Sequence, residues 1–118
     1  MRKLYIVKES KDFKRILDNN KYKASNYFKI FYLNNEYKYS RFGISVSKKL
    51  GNAVFRNKYK RKIRAIIDNS KKLYINNKDY IIILRKGAIS KSFKELEIDY
   101  QSLINSIGKE NSNEQKEQ

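Results

Sequence analysis

The sequence contains no cysteine and no histidine. Without thiols there can be no disulfide staple, thiolate zinc site, iron–sulfur ligation or cysteine nucleophile. Without imidazole the commonest general base, every histidine-containing triad and the usual transition-metal ligand are also gone. Proline is absent and glycine occurs only four times, so neither an interdomain linker nor an internal repeat is visible. Acid is scarce: 12 Asp plus Glu stand against 28 Lys plus Arg, for a net charge of +16. Apolar runs are short, with nothing near the ~18 residues of a membrane span. Met1-Arg2-Lys3-Leu4-Tyr5 is not followed by a secretory apolar core and cleavage site. These absences predict a cytoplasmic chain with no membrane partner, and they disfavour a protein-based hydrolase.

What remains is enough for one domain. At 118 residues with 40% hydrophobic content, the chain can bury a modest core despite a mean hydropathy of -0.83. A chain this basic repels itself in isolation and works beside a polyanion. The acids show no paired metal-ligating spacing. Glu95, Glu97 and Asp99 alternate with Leu96, Ile98 and Tyr100, a pattern better explained as the solvated side of a helix than as a Mg²⁺ site.

Periodicity predicts a short helix from about Lys11 to Asn20, capped by Ser10, with Phe13, Ile16 and Leu17 on one side. Tyr27 to Leu33 reads as a strand ended by Asn34-Asn35, with Phe28, Ile30 and Tyr32 on the inward side and Tyr27, Lys29, Phe31 and Leu33 on the other. A second strand, Arg41 to Ser47, turns Phe42, Ile44 and Val46 inward, and the two are expected to pair antiparallel. Tyr80 to Arg85 is a continuous apolar run, the mark of a central strand. Ser92-Phe93-Lys94-Glu95 is a capping box opening a helix whose stripe runs through Phe93, Leu96, Tyr100, Leu103, Ile104 and Ile107. Gly108 is the expected stop, giving a domain over residues 1–108 and a disordered polar tail over 109–118.

The most informative stretch runs from Lys48 to Arg64 and holds eight cations and no acid. On a helical wheel with Arg56 at zero, Lys60 falls at about 40°, Arg64 at about 80°, Asn57 at about 100° and Arg61 at about 140°. Phe55, Tyr59, Ile63, Ile66 and Ile67 occupy the opposite side, between about 260° and about 20°. Ordinary solvated helix faces mix signs and favour acids in the first turn. Here the first acid is Asp68. A one-sign arc of this kind suits a phosphate backbone, with arginine offering bidentate donors and Asn57 able to reach base edges, sugar or phosphate.

Lys48-Lys49-Leu50-Gly51-Asn52-Ala53-Val54, followed by Arg56-Asn57-Lys58 and Lys60-Arg61-Lys62-Ile63-Arg64, resembles the signature of the bacterial ribonuclease P protein subunit. The likeness extends through Phe42-Gly43-Ile44-Ser45-Val46-Ser47 on one side and Asp79-Tyr80-Ile81-Ile82-Ile83 on the other, in register over roughly residues 8 to 107. It implies a single-domain α+β fold, an α-β-β-β-α-β-α sandwich on a central sheet with a left-handed β-α-β crossover, and adds a short strand near Tyr22 to Ser25. It implies a non-catalytic protein partner of a large RNA that, with Mg²⁺, removes the 5′ leader of precursor tRNA. No catalytic residue, protein-held metal or cofactor, or obligate protein partner is expected.

By the same resemblance, Lys48, Lys49, Asn52, Arg56, Asn57, Lys60, Arg61 and Arg64 would contact the catalytic RNA. Phe13, Leu17, Tyr27, Lys29 and Phe31 would line a cleft for the single-stranded leader, where rings stack on bases without regard to sequence. Leu17 stands where the family often has an aromatic, and Phe31 lacks the hydroxyl of the frequent tyrosine. Other RNA binders, such as a small ribosomal protein, share the charge but need no leader cleft. A major-groove DNA module is the remaining alternative.

Overall fold

A strand with no polar face must be covered on both sides, and the apolar run around Ile81 obeys that rule. The computed structural model describes residues 5–74 and 77–117, with side chains up to residue 109. Its elements are α1 (Ser10–Asp18), β1 (Tyr22–Ala24), β2 (Phe28–Asn34), β3 (Arg41–Ser45), α2 (Ala53–Asn69), β4 (Lys78–Leu84) and α3 (Phe93–Glu117). They form the α+β architecture expected, on a four-stranded mixed sheet of order β1-β2-β4-β3. No helix among the described residues is long and apolar enough to cross a membrane.

The order corrects one expectation. β2 and β3 do not pair; β4 lies between them, antiparallel to β2 and parallel to β3. Alternation in β2 and β3 identifies strands but not neighbours, whereas burial of both faces of β4 requires the central position.

One face of the sheet carries Phe28, Ile30, Tyr32, Phe42, Tyr80 and Ile82, packed with Tyr59, Ile63, Ile66 and Ile67 of α2 and Leu96, Tyr100, Ile104 and Ile107 of α3. Tyr100 is fully buried, and its hydroxyl pairs with that of Tyr74 at 2.9 Å, so this phenol is not stranded in the core. The opposite face is smaller. Val7, Ile16, Phe31 and Ile81 are buried there, with Phe13, Leu17, Leu33 and Ile83 packed around them. Here α1 lies across β2 and β4.

Gly43 makes that second layer possible. A Cβ at this position would lie 2.6 Å from Phe13 Cζ and 2.8 Å from Ile81 Cδ1, so only a bare backbone lets the ring of α1 sit down on the sheet. Gly43→Ala is therefore expected to cost about 1–3 kcal/mol through overpacking, read as a lower midpoint in urea denaturation, while Ser45→Ala, farther along the same strand face, changes the midpoint little.

Helix ends also differ from expectation. Glu9, rather than Ser10, takes the position before α1 and makes no side-chain cap, and the chain leaves the helix through Asn20 at φ 58°, a left-handed value that asparagine tolerates. In the predicted capping box the Glu95 amide donates to Ser92 Oγ (3.1 Å), but the Glu95 carboxylate accepts from the Ser92 hydroxyl (3.2 Å) instead of a backbone amide. Gly108 does not end α3, which continues to Glu117. The expected disordered tail thus carries helical backbone up to that residue, with Gln118 outside the described residues. A glycine costs a helix only about 1 kcal/mol, and the lysines, glutamates and glutamine beyond it are good helix formers.

A buried polar knot ties α1 to the sheet. Asp79, fully buried on β4, accepts from Arg41 Nε (2.9 Å) and Nη2 (2.6 Å), from Arg15 Nη2 (2.9 Å) and from Asn35 Nδ2 (2.8 Å). Burial by itself pushes this carboxyl upward, but the bond from Arg41, that from Asn35, the Arg41 charge and the bond from Arg15 together hold it below its ordinary value.

Candidate nucleic-acid interface

Two surfaces, one on each side of the sheet, collect the cations and accessible rings. The first is the outer side of α2. Asn52 caps the helix, its Oδ1 accepting from the Phe55 amide at 2.9 Å, and no acid stands in the first turn to offset the cations. Asn57, Arg61 and Arg64 are exposed, Arg56 and Lys60 half-buried, and Tyr59 and Ile63 fill the core side, as the wheel predicts. Lys48 and Lys49 lie exposed on the single-turn helix Lys48–Leu50, which Ser47 caps through the Lys49 amide just before α2 begins.

Among the described residues, the ion pairs draw on Lys11, Lys14, Arg15 and Arg41. None involves Arg56, Lys60, Arg61 or Arg64. Arg61 Nε reaches only the Asn57 carbonyl one turn earlier, at 3.5 Å, and Arg56 Nε is buried with no hydrogen-bond partner. The arc is thus a row of guanidinium and ammonium groups held on one helix with no ion pair among the described residues, a source of strong positive potential.

The second surface is the sheet beside α1. Phe13, Leu17 and Phe31 come together there, but Phe31 is only 7% exposed. The expectation that its face is open is corrected: α1 covers this side of β2, so the odd-numbered residues enter a core as well. The accessible ring belongs to Tyr22, which sequence reasoning missed. Tyr22 pairs with Phe31 across β1 and β2, its ring centroid is 5.3 Å from that of Phe31, and it is 44% exposed. Lys29 Nζ lies 4.3 Å from the Tyr22 ring centroid and 5.0 Å from that of Phe31. The result is an exposed ring backed by a buried one, with an ammonium beside both. The resemblance supplied β1 but not its register, and the register alone brings Tyr22 onto Phe31.

Tyr27 does not share this surface. Its ring packs against the core under α2 and α3, because Ser25 turns the chain just before β2, its Oγ accepting from the Tyr27 and Phe28 amides at 3.1 and 3.2 Å. Strict alternation cannot be carried through such a turn.

The carboxylates in the first turns of α3 are engaged elsewhere: Glu95 with Ser92, Glu97 with Asn69 Nδ2 at 2.9 Å, and Asp99 with Ser25 Oγ at 2.6 Å. No group of three or more carboxylates among the described residues could hold a metal ion.

A family model described as Ribonuclease P matches residues 1–108. The chain belongs to the ribonuclease P family. A ribonuclease P protein component of Streptococcus agalactiae is 48% identical over 103 residues, covering 87% of each chain. One from Streptococcus pneumoniae is 43% identical over 97 residues, covering 82% of this chain and 79% of the relative. Among solved structures, the Staphylococcus aureus RNase P protein superposes with a TM-score of 0.79 at 38% identity, covering 87% of this chain and 94% of that one. The Thermotoga maritima RNase P protein gives the same TM-score at 29% identity, with coverage of 85% and 94%. The ribonuclease P fold thus extends over both cation-rich surfaces.

Proposed function

We propose that this chain is the RNA-binding protein subunit of ribonuclease P, holding the catalytic RNA on the outer side of α2 and the 5′ leader of precursor tRNA beside α1. Membership of the family makes it a component of an endoribonuclease that processes tRNA. The observation that carries the finer reading is the row of Arg56, Lys60, Arg61 and Arg64 without carboxylate partners, continued by Lys48, Lys49 and the polar Asn52 and Asn57. These groups bind phosphates and neutralise charge where two RNAs approach; they do no bond chemistry. Hydrolysis belongs to the RNA and its Mg²⁺, in the cytoplasm, and the protein lowers the Mg²⁺ demand by supplying fixed positive charge.

In the leader groove, Tyr22 is the stacking surface, Phe31 supports it from below, and Phe13 and Leu17 form the wall. Lys29 meets the backbone phosphate. Tyr27 takes no part in this groove. Tyr22→Ala in the reconstituted holoenzyme is expected to weaken precursor tRNA about fivefold to a hundredfold, the value of one base stacked on a ring, and to leave mature tRNA unchanged. Equilibrium binding of the two RNAs checks this. Equal losses, or a wild-type holoenzyme that does not prefer precursor, would contradict the reading.

A further inference from the structure

A third cationic site lies away from both surfaces, where the turn before β2 meets the turn after β4. A cleft of about 390 Å³ there is lined by Asn26, Tyr27, Arg85, Lys86, Gly87 and Lys91. We infer that this cleft seats a phosphodiester of an RNA strand, making a contact separate from the α2 arc. The inference rests on the RNA-binding reading above and extends it to a second track.

The first argument is charge. Arg85, Lys86 and Lys91 are exposed, and none of them takes part in the ion pairs found among the described residues. Asp99, on the adjacent helix, accepts from the Ser25 hydroxyl at 2.6 Å and makes no ion pair with the three cations. Three clustered cations facing a single nearby carboxylate, with no direct ion pair to it, still carry excess positive charge that a bound anion compensates.

The second argument is that the cleft is rigid. The Arg85 amide donates to the Tyr27 carbonyl at 2.9 Å, and Arg85 Nη1 donates to the Ser25 carbonyl at 2.9 Å. The guanidinium is thereby held in place with donors to spare. A Cβ on Gly87 would lie 2.4 Å from the Asn26 carbonyl oxygen, so the two turns touch backbone to backbone. Lys91 Nζ stands 5.9 Å from the Tyr27 ring centroid. Ser90, beside it, has φ 73°, a conformation that persists in a non-glycine residue only when its surroundings fix it. The Arg85 guanidinium and the backbone of the two turns thus meet an anion already ordered, while Lys86 and Lys91 add exposed charge at the rim.

The third argument is continuity. The Ser90 amide donates to Tyr59 Oη at 3.3 Å, and Lys62 Nζ lies 4.9 Å from the Tyr59 ring centroid. Lys62 falls at about 240° on the α2 wheel, outside the arc from Arg56 to Arg61. A belt from Lys62 through Lys91 to Lys86 and Arg85 thus starts on the flank of α2 and leads away from the arc. One RNA surface can follow the arc while a second strand follows the belt. Phosphates of the catalytic RNA and of the precursor offer the same chemistry.

The test uses the full chain, the catalytic RNA, and precursor tRNA bound to preformed holoenzyme. The double variant Lys86→Ala with Lys91→Ala removes two phosphate contacts. It is expected to lower affinity for one of those RNAs about tenfold near physiological salt and to reduce the slope of log affinity against log salt by about two. The RNA whose slope moves identifies the source. Lys86→Arg with Lys91→Arg keeps the charge and should keep the slope. Because the chain has no cysteine, Lys91→Cys carrying a tethered iron chelate gives a direct second readout, with strand cleavage expected in that same RNA. The inference is overturned if both RNAs keep their slopes and the chelate cuts neither, while Arg61→Ala does lower the slope; the RNA-binding reading then stands without this site. Equal losses in the alanine and arginine doubles would also overturn it, by indicating packing. A wild-type chain that binds neither RNA sinks both readings together.

Discussion

Replacing Arg56, Lys60, Arg61 and Arg64 together by alanine is expected to weaken binding to the catalytic RNA by about a hundredfold to a thousandfold near 0.15 M salt, and to flatten the salt dependence by about three. Each phosphate neutralised releases condensed counterions, so four lost contacts act on the slope as well as on the affinity at any one salt concentration. The fold should survive. Arg61 and Arg64 are exposed, Arg56 and Lys60 are half-buried, and the core side of α2 is made by Tyr59, Ile63, Ile66 and Ile67. Filter binding across a salt series, beside thermal melts monitored by circular dichroism, separates loss of affinity from loss of structure. Wild-type affinity in the quadruple variant would reduce the arc to a solubilising surface.

Asp79→Asn is the variant expected to damage the fold most. It removes the charge that two arginines share and turns an amide group toward guanidinium donors. Arg41, about a tenth exposed, then keeps only its longer contact with Asp12 at 3.6 Å. Breaking a buried pair in this way costs about 3–5 kcal/mol, a large fraction of the stability of a domain this size. Urea denaturation of the full chain measures it.

The same carboxylate sets an acid limit. Because its folded value is held below the unfolded one, near 3.9, its contribution is fully present above the unfolded value. It is lost as pH falls through the folded value. Stability measured downward from pH 5 should therefore fall more steeply in wild type than in Asp79→Asn. Parallel curves would mean that Asp79 does not carry the effect.

The sequence made some of this legible and hid the rest for identifiable reasons. The two sides of α2 were readable because helical periodicity separates Arg56, Lys60 and Arg64 from Tyr59, Ile63 and Ile66 within a single element. The central place of β4 was readable from its unbroken apolar run. Pairing was not: β2 and β3 alternate in the same way whether they touch each other or flank β4. The second core layer stayed hidden because it depends on Phe13 meeting Gly43, a contact between distant parts of the chain. That is why Phe31 looked open and is nearly buried, and why Tyr22, outside any long strand, was missed as the exposed ring. The knot at Asp79 was equally hidden, since Arg15 and Arg41 resemble any other surface cations until the fold brings them together. Family resemblance supplied topology and partner, but the registers that set exposure came from the structure.

The measurement that bears most directly on the central claim is single-turnover cleavage of precursor tRNA by the cognate catalytic RNA at low Mg²⁺, with and without this protein. The protein by itself, freed of RNA, should cleave nothing at any Mg²⁺ concentration. Added to the catalytic RNA it should accelerate release of the leader, and the gain should shrink as Mg²⁺ rises and takes over the neutralisation of phosphate charge. Turnover by the RNA-free protein, or a catalytic RNA indifferent to its presence at low Mg²⁺, would contradict the account.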